Sequence, residues 1–74
     1  MRALDELPTG RTAEIFSLRT AGAMRRRLQD LGFVPGAEVK ALFRGPGGGP
    51  TAYLVFGAVI ALRGEDARGI LIIE

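Results

Sequence analysis

The stretch that decides the fold is Arg25-Arg26-Arg27-Leu28-Gln29-Asp30-Leu31-Gly32-Phe33-Val34-Pro35-Gly36. Met24, just before it, stands with Leu28 and Leu31 at i, i+4 and i+7, the apolar stripe of an amphipathic helix. The pattern predicts a helix from Ala21 to Leu31, with Thr20 as its N-cap and Gly32 as the left-handed stop. Pro35 and Gly36 are the residues a type II turn takes at its two central positions. A helix closed by Gly thus passes within a few residues into the next element. No other segment reads as a convincing helix.

Outward from that block the chain is cut into short extended pieces by Gly and Pro. Upstream, Arg11 to Arg19 carries Ala13, Ile15 and Ser17 against Glu14, Phe16 and Leu18, an imperfect alternation that predicts a strand. Downstream, Ala37 to Arg44 sets Ala37, Val39, Ala41 and Phe43 on one face and Glu38, Lys40 and Arg44 mostly on the other. Gly45-Pro46-Gly47-Gly48-Gly49-Pro50 reads as loop alone. Thr51 to Phe56 and Ala58 to Arg63 flank Gly57, and Ile70 to Glu74 is the last strand. Five short strands and one helix after the first strand predict a small, mainly β barrel, one domain over residues 1–74, whose closure would protect its edges.

Composition narrows the chemistry. The 74 residues include no Cys and no His, so soft and borderline metals lack their usual ligands and nucleophilic catalysis lacks its usual base. No catalytic residue, metal ligand or cofactor site is assigned, and the expectation is a non-enzymatic binding module. Ten basic and eight acidic residues leave a net charge of +2. The pI of about 9.9 reflects the scarcity of groups titrating between carboxylates and Tyr or Lys. Only Arg25-Arg26-Arg27 is clustered, which argues against a nucleic-acid surface. The Gly45–Pro50 loop lacks the Lys and Ser/Thr of a phosphate loop and leads into a strand. Asp5, Glu6, Glu65 and Asp66 read as solvated carboxylates on short turns. With acids at the start and no spanning apolar run, the chain reads as cytoplasmic.

The Arg25–Gly36 block resembles the signature of the FeoA family, small cytoplasmic companions of the ferrous-iron transporter FeoB. Leu28, Leu31, Gly32, Phe33, Pro35, Gly36 and Val39 fall on that pattern in register. The resemblance extends over the lead Leu4 to Gly10, Pro50, Gly57, and Ile60-Ala61-Leu62-Arg63 followed by Glu65-Asp66. It implies a five-stranded SH3-like barrel that serves ferrous iron transport and iron homeostasis by protein contact, docking on the cytoplasmic part of a FeoB-type transporter. Transition-metal binding attaches to the family only by association, and no residue here is assigned to it. Two other readings stay open: an SH3-like protein- or peptide-binding domain related to the C-terminal domain of iron-dependent DtxR-type repressors, and a small-barrel nucleic-acid binder.

The chain departs from the family where strands three and four usually leave one face wet. A type II′ turn at Gly57-Ala58 predicts the pairs Phe56–Val59, Val55–Ile60, Leu54–Ala61 and Tyr53–Leu62. Tyr53, Val55, Ile60 and Leu62 then face the core, while Ala52, Leu54, Phe56, Val59 and Ala61 form a second apolar face. Leu54, Phe56 and Val59 on that face are candidate contacts for a partner or, in a homo-oligomer, for a second copy. In the competing reading Leu4 and Leu7 fold over them. Arg25 and Arg26 are the other candidate contacts, suited to an acidic surface, or else simply solvated, with Arg26 paired to Asp30.

Overall fold

A computed structural model of the chain describes every residue from Met1 to Glu74. The strands are β1 (Arg2–Ala3), β2 (Thr12–Leu18), β3 (Glu38–Arg44), β4 (Thr51–Val55), β5 (Ala58–Leu62) and β6 (Ile70–Ile73). Helix α1 (Gly22–Leu31) follows β2, and the one-turn helix α2 (Gly64–Ala67) precedes β6. All six strands are antiparallel in one sheet ordered β1-β6-β2-β3-β4-β5. The sheet therefore has six strands where the sequence predicts five, because Arg2 and Ala3 pair with Ile72 and Leu71. No ladder joins β1 to β5, so the sheet is open and keeps two edges.

The decisive stretch folds as its residues dictate. Gly32 takes φ +108, and the amides of Phe33 and Gly32 donate to the carbonyls of Leu28 and Gln29, the crossed pair of a Schellman stop. Phe33 and Leu28, the residues whose side chains meet across that motif, are both fully buried. The amide of Ala37 then donates to Val34 O at 3.0 Å with Gly36 at φ +90, which closes the turn around Pro35-Gly36. One expectation fails at the other end of α1. The N-cap position is Ala21, without a side-chain bond, and the Thr20 hydroxyl is buried and unpartnered, its methyl packed beside Gly69.

The core is a single cluster of 16 buried residues drawn from every strand except β1, and from α1, α2 and the N-terminal lead. Leu4 and Leu7 belong to it, held by a 3-10 turn over Leu4–Glu6. Two bulges reset the alternation that the sequence predicts. Between Ile15 and Ser17 the β2–β6 register slips, so Leu18 is buried and Phe16 exposed. Between Ala41 and Phe43 the β3–β4 register slips likewise, and Phe43, assigned to the core face by strict alternation, is 60% exposed. The Gly45–Pro50 loop holds a short 3-10 turn at Pro46–Gly48, which Gly47 and Gly48 enter at positive φ.

Candidate functional site

The β4–β5 hairpin turns at Phe56-Gly57. Phe56 has φ +49 and Gly57 φ +76, and two positive values mark a type I′ turn rather than the II′ turn expected at Gly57-Ala58. That turn matches the right-handed twist of the flanking strands, which is why it prevails despite a Phe in the left-handed region. The pairs are Val55–Ala58, Leu54–Val59, Tyr53–Ile60, Ala52–Ala61 and Thr51–Leu62. Each pairing lies two residues from the predicted one, so with a side-chain period of two the faces are unchanged. Tyr53, Val55 and Leu62 are buried and Ile60 packs against them; Leu54 and Val59 point the other way.

The outer face can be followed strand by strand. Thr12, Lys40, Leu54 and Val59 form one cross-strand row over β2, β3, β4 and β5. The next row holds Phe43, Ala52 and Ala61. Leu54 is 36% exposed, Val59 60% and Phe56 74%, and Phe56 hangs from the turn with its ring against Gly32. Leu4 and Leu7 do not cover this face, since both are spent on the core. A depression of about 300 Å³ lies beside it, lined by Thr12, Glu38, Lys40, Leu54, Phe56 and Gly57. The apolar side chains of Leu54 and Phe56 thus stand beside one charge of each sign, Lys40 and Glu38.

Phe43 joins this face unforeseen. Only the bulge before it turns the ring outward, and nothing in the alternation of Ala37 to Arg44 signals a bulge. The arginines separate from the patch, and neither Arg25 nor Arg26 lines the depression. Arg25 donates through Nη1 to Leu18 O at 2.9 Å, tying α1 to the end of β2. Arg26 is exposed and makes no ion pair with Asp30; the pairs present are Arg2–Glu74 and Arg68–Asp5. Arg27 lines a second groove, of about 420 Å³, between α1 and β5, with Met24, Leu28, Ala61, Leu62 and Arg63 among its walls.

No three of the residues Asp, Glu, His and Cys converge on a point anywhere in the chain, so no built metal centre is present. Inside the hairpin the Tyr53 hydroxyl donates to Leu4 O at 3.4 Å. Burial pushes its phenol above the usual tyrosine range, with Thr51 and Arg44 pulling the other way.

A family model described as the FeoA domain matches residues 2–74. The FeoA of Stenotrophomonas maltophilia, an SH3 domain protein solved in complex with zinc, superposes with a TM-score of 0.88 at 35% identity, over 99% of this chain and 91% of that one. The FeoA of Chlorobium tepidum gives 0.88 at 40% identity, over 95% of this chain and 67% of that one. A manganese-dependent transcriptional repressor shares the fold alone, with a TM-score of 0.85 at 20% identity, over 97% of this chain and 40% of that one. No curated protein sequence matches. His and Cys, the usual zinc ligands, are absent from this chain. The family model matched over residues 2–74, together with relatives above 30% identity that superpose on nearly the whole of this mainly β chain, establishes that this chain belongs to the FeoA family.

Proposed function

We propose that this chain is a non-enzymatic, cytoplasmic accessory of ferrous iron uptake, acting as one docking domain over residues 1–74 on the cytoplasmic part of a FeoB-type transporter. The observation that carries the proposal is the exposed apolar face of Leu54, Phe56 and Val59 beside Lys40 and Glu38. An aromatic at the tip of a hairpin, flanked by aliphatic side chains and a mixed-charge rim, has the composition of an interface anchor. The Stenotrophomonas maltophilia relative has been put forward as a ferrous iron transport activating factor, which agrees with a partner in transport. Docking becomes regulation when the contact is tighter in one state of the transporter than in another. Arg26, free on the surface of α1, is available to an acidic patch of the same partner. Arg25, engaged with Leu18, would act there only through the helix it anchors.

Titration calorimetry of the chain with a FeoB cytoplasmic region tests the proposal. Wild type binds at micromolar concentrations, and Phe56→Glu, folded by circular dichroism, binds at least about tenfold more weakly, as expected for loss of a central aromatic. Equal binding by the two proteins removes the hairpin face from the interface. No binding by wild type, together with intact iron uptake on deletion, overturns the function.

A further inference from the structure

The two edges of the sheet differ sharply. The β1 edge is two residues long and is finished by the ion pair of Arg2 with Glu74. The β5 edge runs through Ala58-Val59-Ile60-Ala61-Leu62, five apolar residues with no charge, no Pro and no register shift along its ladder. Those are the devices by which exposed edges are ordinarily blunted. Val55 and Ala58 flank the two-residue turn and are therefore a hydrogen-bonded pair. Alternation then gives the inward-directed backbone groups to Ala58, Ile60 and Leu62. The N–H and C=O of Val59 and Ala61 point away from β4, and no loop or cap bond reaches them.

We propose that this edge pairs with the β5 edge of a second copy, antiparallel and centred on Ile60, to form a closed two-fold dimer. In that register Val59 lies opposite the copy's Ala61 and Ala61 opposite its Val59, so all four free groups on each strand are satisfied at once. No like charges meet. Arg63, the first charge beyond the strand, falls opposite the uncharged Gly57 of the copy. A groove of about 420 Å³ lies between Ala61 and the α1 residues Met24, Arg27 and Leu28. Each copy has only one long edge, so assembly ends at two. This inference does not rest on transporter docking: it uses the outward backbone groups of β5, whereas docking uses the side chains of Leu54, Phe56 and Val59.

Sedimentation equilibrium and amide exchange on the full chain test it. The mass doubles with concentration and goes no further. The Val59 and Ala61 amides gain protection as the dimer forms, whereas Ala58 and Ile60 are protected at every concentration. Ala61→Pro removes an outward N–H and no ladder bond, and weakens association roughly tenfold or more. Phe56→Glu, which lies in the turn and leaves the backbone groups of Val59 and Ala61 untouched, still dimerises. If Ala61→Pro fails to fold, Ala61→Lys places a charge on the same edge and gives the same loss. A monomer up to about 1 mM, the weak limit of specific association, overturns the proposal. So does a dimer whose Val59 and Ala61 amides exchange freely, or one abolished by Phe56→Glu and spared by Ala61→Pro.

Discussion

Gly32 serves two neighbours at once. Its φ of +108 lets α1 stop, and its missing side chain lets the Phe56 ring approach: a Cβ there would stand 2.9 Å from Phe56 Cδ2. The end of the helix and the tip of the hairpin are therefore fitted to each other through one hydrogen atom. Gly32→Ala is expected to cost about 1–2 kcal/mol from the left-handed backbone, with a further loss from displacing the ring. In a Phe56→Ala background only the backbone part should remain. Urea denaturation of the four proteins of this cycle measures the difference, and equal costs in both backgrounds would show that the ring does not rest on Gly32.

At the scale of elements, the β4–β5 hairpin carries a local conflict. A type I′ turn favours Asn or Gly at both central positions, and this chain puts Phe at the first. Phe56→Asn should raise stability by about 0.5–1 kcal/mol while weakening partner binding, read from the urea midpoint and from calorimetry. A variant that loses stability would mean that the Phe56–Gly32 contact outweighs the strain of φ +49. This conflict also marks how far the sequence could be read. Helix α1, its Gly stop and the Pro35-Gly36 turn are set by local chemistry, and the sequence predicts each of them. The hairpin faces survive a wrong turn type because the error in pairing is even. The bulges at Ile15/Ser17 and Ala41/Phe43 are settled by how three strands share one core, which no window of alternation contains. Phe43 was illegible for that reason. The role of Arg25 was too, because its acceptor, Leu18 O, belongs to another element.

For the whole molecule, the N-terminal lead acts as a plug. Leu4 and Leu7 complete the core, and the Tyr53 hydroxyl meets Leu4 O at the seam. Burial raises the Tyr53 phenol, so the folded state resists ionising it. The corresponding stability is fully present below the unfolded tyrosine pKa of about 10 and is lost as pH rises through the higher folded value. Urea midpoints measured from pH 8 upward should therefore fall above about pH 10 in wild type, and this component of the fall should be absent in Tyr53→Phe. Identical alkaline profiles would place the phenol in contact with solvent. On the same side the first and last strands of the fold meet, Arg2 pairing with Ile72 and reaching Glu74. Entry to and exit from the fold thus share one spot on its surface. Such a unit behaves as a cassette, able to be spliced into a host loop without prying either apart, or circularly permuted by joining Glu74 to Met1 through a short linker.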